Sequence, residues 1–237
     1  MVDKPGRRKK NKTPWGKIVA VVIGVLVIGA IGYLVYDNYI YSPPPAYARL
    51  STSQGNIYLE LFPACAPKTV ANFENLTNTG FYNNLVWHRI VAGFVIQTGD
   101  PNSKGAVNST RSTWGQGKST RQVPFEWCGW LHNYAGYVGM ASTGVKAPST
   151  SQFFVNLVNS TTNLNLDDNY TVFAKVISGM SAVCSISKLP VYGASATQNG
   201  NTITDQPLNL TAAMLNSVTM IPQTQVPTPQ PITACKS

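Results

Sequence analysis

Two polar side chains interrupt the apolar stretch WHRIVAGFVIQTGDP, residues 87–101. They are Arg89 and Gln97, and most of their neighbours are the β-branched and aromatic residues that pack on a pleated sheet. A guanidinium is costly to bury unless its donors are matched. Arg89 could therefore pair with a nearby carboxylate or extend to solvent from the edge of a sheet. Alternatively, it lies at the rim of an apolar pocket and donates hydrogen bonds to a carbonyl group of a ligand.

Other kinds of catalytic site find little support in the sequence. A serine or cysteine hydrolase needs a base, and His88 and His132 are the only histidines. The chain has no G-x-S-x-G motif. Two histidines and scattered carboxylates show no spacing typical of metal ligands. We therefore expect no metal and no cofactor.

The positive charge of the chain is concentrated at its N-terminus. The net charge is +9, and seven of the 18 basic residues precede residue 18, together with one of the nine acidic residues. The rest of the chain is therefore nearly neutral. An excess of basic residues confined to one short segment does not indicate a basic surface that binds nucleic acid. We expect no nucleic-acid partner.

An uncharged run, IVAVVIGVLVIGAIGYLVY at residues 18–36, follows the basic cluster. As a helix it would measure about 28 Å, close to the hydrocarbon thickness of a bilayer. We therefore predict a single-pass cell-membrane protein with residues 1–17 in the cytoplasm and everything after Tyr36 outside. The alternative is a cleaved signal peptide, because Ala46-Tyr47-Ala48 forms an A-x-A pattern.

All four cysteines follow this run. An even number of cysteines outside the cytoplasm could form two disulfides. The alternative is four small buried thiols. The cysteines are too far apart for a CxxC redox pair. They are Cys65, Cys128, Cys184 and Cys235.

The remaining sequence divides into a linker, a domain and a tail. We predict a stiff Pro-rich linker at 37–47, one domain at 48–222 and an irregular Pro- and Thr-rich tail at 223–237. Many short strands with only two helices predict a closed or sandwiched all-β domain. The predicted elements are a hairpin around Gln54-Gly55, a helix at 67–80, a strand at 87–97, a loop at 99–122, short apolar runs at 135–142, 152–158 and 171–177, a helix at 179–188, a long loop at 199–214 and a strand at 216–221.

Several blocks of this domain together resemble one known family. The stretch WHRIVAGFVIQTGD resembles the signature of the cyclophilins, the peptidyl-prolyl isomerases. Later blocks resemble that family in order and spacing, and APKTVANF resembles its first helix. The resemblance covers residues 48–222 and implies an all-β fold, an eight-stranded antiparallel barrel capped by two helices, here preceded by the transmembrane helix. The later blocks are GMAS (139–142), SQFF (151–154), LD (166–167) and TVFAKVISGM (171–180).

The resemblance also implies roles for individual residues. Arg89 and Gln97 take the catalytic positions, and His88 is structural. If the family's helix placements apply, the favoured disulfides are Cys65–Cys128 and Cys184–Cys235. The residues implied to bind substrate are Phe94, Val95, Met140, Ala141, Ser142, Gln152, Phe154, Leu166 and Tyr170.

The chain departs from the family pattern around the expected pocket. Val95 replaces a methionine, Asn165 stands where many members have tryptophan, and Tyr170 where many have histidine. Ser142 replaces the usual asparagine. The resemblance therefore implies a more open pocket, and weak binding of the inhibitor cyclosporin because Asn165 lacks the indole ring.

The resemblance implies isomerisation of Xaa-Pro bonds, and the topology places this activity outside the cytoplasmic membrane, where it would assist protein folding. The expected partners are proline-containing polypeptide clients, together with the membrane that holds the N-terminal helix. The alternative is a non-catalytic module that binds proline-containing segments, or an accessory subunit of a membrane complex.

Overall fold

The structure, a computed structural model, describes residues 15–35, 43–159 and 166–235. The described residues form two units, one that ends at Pro43 and one that begins at Pro44. The first unit contains helix α1 (Trp15–Val35). The large apolar side chains described along this helix are exposed. Among the residues that the structure describes, no helix is long and apolar enough to cross a membrane. Residues 36–42, which include most of the predicted linker, lie outside the described residues.

The second unit is built on a nine-stranded antiparallel sheet. Its strands are ordered β3-β11-β1-β2-β8-β6-β7-β5-β4, and β9 and β10 form a separate two-stranded sheet. The strands are β1 (Ala46–Thr52), β2 (Gly55–Leu61), β3 (Leu85–Val86), β4 (Arg89–Val91), β5 (Val95–Thr98), β6 (Tyr137–Ser142), β7 (Ser149–Asn156), β8 (Val172–Ser178), β9 (Thr197–Gln198), β10 (Asn201–Thr202) and β11 (Met214–Ile221).

The two edge strands of this sheet, β3 and β4, are neighbours in the chain. Only Trp87 and His88 separate Val86 from Arg89, so the two edges cannot lie more than about 11 Å apart at this point. The sheet therefore has to curl. Within the described residues, no strand pairing joins β3 to β4. The expected closed barrel of eight strands is thus corrected to a curled half-barrel of nine.

Alternation along the strands fills the interior of the half-barrel. On β2, Ile57, Leu59 and Leu61 are fully buried, as expected for every second residue of a strand with one face on a core. The two predicted helices of this domain are confirmed as α2 (Pro67–Asn78) and α3 (Met180–Ser187). Both contribute buried side chains to the same core cluster.

The predicted strand at 87–97 is wrong, because the chain turns within it. Strands β4 and β5 form a hairpin, and the Phe94 N–H donates to the Val91 carbonyl at 3.0 Å. Gly93 has a φ of +72°, which glycine adopts without a Cβ clash. A second difference lies at 199–214, where the predicted long loop contains β10, which pairs with β9.

Two disulfides join segments that lack regular structure to residues in a helix or next to one. They are Cys65–Cys128, beside the start of α2, and Cys184–Cys235, which starts from α3. This is the pairing that the family resemblance favoured. Cys235 is buried, and its N–H donates to the Leu157 carbonyl. The predicted irregular tail is therefore attached to the domain.

We expect each disulfide to stabilise the domain by about 2–4 kcal/mol, because each closes a loop of more than 50 residues in the unfolded chain. Replacing Cys184 and Cys235 by serine should lower the free energy of unfolding by this amount and expose the tail to protease first. The matched control is the Cys65→Ser, Cys128→Ser variant, which should be destabilised without early cleavage of the tail. Identical denaturant midpoints for the oxidised and reduced protein would contradict this expectation.

Candidate active site

The register of three neighbouring strands brings the predicted catalytic residues into one row. Arg89 on β4 lies opposite Gln97 on β5, and Gln97 lies opposite Phe154 on β7. The row continues to Gly139 on β6. Because side chains alternate across a sheet, the flanking Ile90, Ile96, Phe153 and Val155 point into the core, where each is at most 2% exposed. Arg89, Gln97 and Phe154 therefore share the outer face.

Arg89 is held at the rim of this face and is not buried in it. Its side chain is 41% exposed. The guanidinium carbon lies 5.8 Å from the centre of the Phe94 ring. Its Nε atom lies 3.9 Å from a carboxylate oxygen of Asp205, which is an ion pair too long for a hydrogen bond. Both interpretations of Arg89 thus describe part of its surroundings, a carboxylate on one side and a pocket on the other.

A chain of amide hydrogen bonds fixes Gln97. Its Nε2 donates to Gln152 Oε1 at 2.9 Å. Gln152 Nε2 in turn donates to the carbonyls of Gly115 and Gly117 at 3.1 and 2.7 Å. Gln152 therefore joins the groove to the loop that follows β5, and it sets which way the Gln97 amide faces.

An apolar pocket of about 270 Å³ lies beside Arg89. Its wall is a small cluster of Val95, Phe154 and Leu166, separate from the main core. Tyr170 closes one side, with its ring edge-to-face with Phe154 at 6.0 Å. The volume is slightly below the usual range for a drug-sized ligand and suits one small apolar ring. The lining residues are Arg89, Phe94, Val95, Gln97, Ala141, Ser142, Phe154, Leu166 and Tyr170.

Two predicted site residues lie outside the pocket. Met140 is 2% exposed and belongs to the main core, because it has the opposite parity to Ala141 on the strand. This corrects its assignment to the groove wall. Gln152 lines a neighbouring open cavity of about 460 Å³ that shares Gln97, Ala141 and Ser142 with the pocket. Asn165 lies outside the described residues.

Gly139 is a site residue that the sequence interpretation missed. A Cβ at this position would lie 2.4 Å from Cζ of Phe154, so only glycine lets the far edge of that ring come this close to β6. The sequence did contain a signal for this role, because a glycine inside a strand often marks a place where another group approaches the backbone closely. Asp205 was also missed, and nothing in its local sequence connects it with Arg89.

The sequence comparison identifies the family. Residues 47–207 match the family described as cyclophilin type peptidyl-prolyl cis-trans isomerase/CLD. The chain belongs to the cyclophilin family. A peptidyl-prolyl cis-trans isomerase A of Dickeya dadantii is 32% identical over 185 residues, which cover 77% of this chain and 90% of that protein. A peptidyl-prolyl cis-trans isomerase-like 3 of Rattus norvegicus is 40% identical over 145 residues, which cover 60% and 82%.

Solved structures agree with the sequence comparison. A crystal structure of a Cryptosporidium parvum cyclophilin type peptidyl-prolyl cis-trans isomerase superposes with a TM-score of 0.62 at 26% identity, covering 76% of this chain and 99% of that one. The same protein with the dipeptide Ala-Pro gives a TM-score of 0.60, at 26% identity and coverage of 75% and 99%. The chain is therefore a peptidyl-prolyl cis-trans isomerase, which confirms the predicted enzyme class.

The site of this cyclophilin consists of hydrogen-bond donors and apolar surface. Among the described residues, no group of three or more His, Cys, Asp or Glu side chains could hold a metal ion. His88, next to Arg89, is 2% exposed. Burial lowers the pKa of His88 from 6.5 to about 4, although the nearby Asp100 carboxylate opposes this shift. The imidazole is thus neutral at pH 7 and belongs to the structure of the half-barrel.

His88 should make the stability of this cyclophilin fall in mild acid. Below pH 6.5 the unfolded chain binds a proton at this position, whereas the folded chain binds none until about pH 4. Stability is therefore complete above pH 6.5 and is lost as the pH falls towards 4, by about 3 kcal/mol at most. Denaturant unfolding between pH 7 and 4 measures this slope. His88→Gln should flatten it. Equal slopes for the two proteins would refute the assignment.

Proposed function

We propose that Arg89 is the catalytic residue of this isomerase and that the apolar pocket holds the proline ring of the substrate. The observation that carries the proposal is the row formed by Arg89, Gln97 and Phe154, which brings a guanidinium to the rim of an apolar cavity of about 270 Å³. A crystal structure of the Cryptosporidium parvum relative was determined in the presence of the dipeptide Ala-Pro, which is of the substrate class that such a pocket suits.

The reaction needs a particular kind of site. An Xaa-Pro bond rotates over a barrier of about 18–20 kcal/mol because amide resonance gives it double-bond character, and uncatalysed exchange takes tens to hundreds of seconds. Rotation requires no nucleophile and no proton transfer, only a preference for the twisted amide over the planar one. In the twisted amide the prolyl nitrogen regains its lone pair and accepts hydrogen bonds.

Arg89 suits this task because a guanidinium is always protonated and presents several donors in one plane. It can donate to the prolyl nitrogen and to the neighbouring carbonyl oxygen at the same time. Val95, Phe154 and Leu166 pack around the ring, so the segment on the other side of the bond turns. Gln97, oriented by Gln152, is available to the substrate backbone. The apolar wall also lowers the local dielectric and strengthens the contact of Arg89.

We expect Arg89→Ala to lower kcat/KM by a factor on the order of 10²–10³, the usual cost of removing a donor directed at the transition state. The fold should be retained, because the side chain is 41% exposed. A proline-isomerisation assay with parallel thermal unfolding measures both quantities. Arg89→Lys keeps the charge without the planar fork and should be impaired as well. The control Arg49→Ala, on β1, should be normal, and near-normal activity of Arg89→Ala would remove the arginine from the mechanism.

The cellular location is a second part of the proposal. The isomerase acts on proline-containing polypeptides outside the cytoplasmic membrane, held there by the apolar run at residues 18–36. Support comes from the seven basic residues before this uncharged run and from the pairing of all four cysteines in disulfides, which persist in oxidising compartments. Slow Xaa-Pro exchange limits the folding of many chains, so the enzyme would assist the folding of proteins in that compartment.

The orientation is tested by adding protease to intact cells that carry epitope tags at both ends of the protein. We expect the C-terminal tag and the domain after residue 43 to be lost while the N-terminal tag survives, because the basic segment remains in the cytoplasm. A cytoplasmic marker protein must stay intact in the same cells. A fully protected domain, or a C-terminal tag that leaves with the soluble fraction of broken cells, would overturn the proposed location.

A further inference from the structure

The carboxylate beside Arg89 comes from a segment more than 100 residues further along the chain. Asp205 makes two contacts with β4. Its carbonyl oxygen accepts a hydrogen bond from the Ile90 N–H at 2.8 Å, and its side-chain oxygen lies 3.9 Å from Arg89 Nε. Its φ is +64°, a left-handed conformation that Asp and Asn tolerate better than most residues. Asp205 thus lies along the open edge of β4 with its acid directed at the catalytic guanidinium.

A buried arginine fixes the segment that carries Asp205. Arg111 is 1% exposed, and its Nη2 donates to the Pro207 carbonyl at 2.7 Å. Gln206, directly after Asp205, returns a hydrogen bond from its Nε2 to the Arg111 carbonyl at 2.9 Å. The Arg111 guanidinium lies 5.0 Å from the Trp114 ring centre and 5.1 Å from that of Tyr192. A buried charge with this many partners is costly to displace. The contacts of Arg111 with Gln206 and Pro207 therefore fix the position of the neighbouring Asp205.

We propose that Asp205 is a positioning residue for the isomerase reaction. Its carboxylate attracts the Nε side of the Arg89 guanidinium and so orients the two Nη groups, and the Arg111 contacts hold that carboxylate in place. This inference rests on the catalytic role of Arg89 proposed above. It adds a residue that belongs to none of the sequence blocks that resemble the family.

The geometry explains why a positioning group is useful at this site. Arg89 is half-exposed and carries a long, flexible side chain, so ordering it for the transition state costs conformational entropy. The Phe94 ring limits the guanidinium on one side, at 5.8 Å, and the Asp205 carboxylate limits it at Nε. The donors left to face a substrate are then the Nη groups. The Arg89 side chain then has fewer conformations before the substrate binds. This speeds a reaction that depends on the orientation of the guanidinium.

The expected effect is modest, because both partners are partly exposed, at 41% and 33%. Exposed ion pairs are weak and are screened by salt. Loss of the pair should therefore lower kcat/KM by about two- to fivefold, far less than loss of Arg89 itself. The same weakness provides a readout, because added salt should reproduce part of the loss in the unmodified protein.

The test compares Asp205→Asn with the unmodified full-length protein on an Ala-Pro-containing peptide. Asparagine keeps the backbone hydrogen bond to Ile90 and tolerates the same φ, so only the charge is removed. We expect kcat/KM to fall by about two- to fivefold and its salt dependence to disappear. The matched control is Glu60→Gln on β2, which also removes one carboxylate, from an ion pair of 2.9 Å with Lys175. This control should change neither the rate nor its salt dependence.

A double-mutant cycle separates positioning from a general structural role. In an Arg89→Ala background, Asp205→Asn should have no further effect, because the residue it orients is absent. An equal loss in both backgrounds, or an unchanged or raised rate for Asp205→Asn alone, overturns the inference. A different result, full activity of Arg89→Ala, would refute the proposed function. A measurement independent of turnover is the NMR order parameter of the Arg89 Nε–H bond. It should fall in Asp205→Asn, and an unchanged value also overturns the inference.

Discussion

The site depends on the register in which β4, β5 and β7 pair. Because Arg89 lies opposite Gln97, and Gln97 opposite Phe154, a shift of one residue in either ladder would turn the polar row into the core and bring Ile90 or Ile96 to the surface. The buried residues on the same strands prevent this, since each is almost completely excluded from solvent. The energy that specifies the groove is therefore largely the energy of the core beneath it.

The family resemblance was sufficient for the parts of the site that lie in recognisable sequence blocks. Arg89, Phe94 and Gln97 fall within the block WHRIVAGFVIQTGD, and Phe154 falls within SQFF. The assignment of Met140 to the groove was wrong because it followed from membership of the block GMAS. It ignored that alternate residues of a strand face opposite sides of the sheet. Asp205 and the pairing of β3 with β11 could not be predicted, because both depend on contacts between distant segments, which no local pattern encodes.

Segments without regular structure are positioned here by a few strong connections. Cys128 attaches one such segment to Cys65, two residues before α2, and Cys235 attaches another to Cys184 in α3. Arg111 does the same without a covalent bond, through hydrogen bonds to residues near 206. The hairpin of β9 and β10 lies in the same region of sequence as Asp205. Long loops are therefore able to contribute side chains to a groove whose walls are otherwise formed by strands.

The first strand of the domain, β1, pairs with its last strand, β11. Strand β1 lies between β2 and β11, and Tyr47 pairs with Ile221, so the first and last strands of the domain are neighbours near the β3 edge of the sheet. A nascent chain leaving the ribosome can form the β1–β2 hairpin early, but β1 keeps an open edge until residue 221 has been synthesised. Contacts between such distant residues make folding slow. An unpaired edge invites association with other chains in the meantime. The sheet of this isomerase is therefore complete only once β11 has paired with β1.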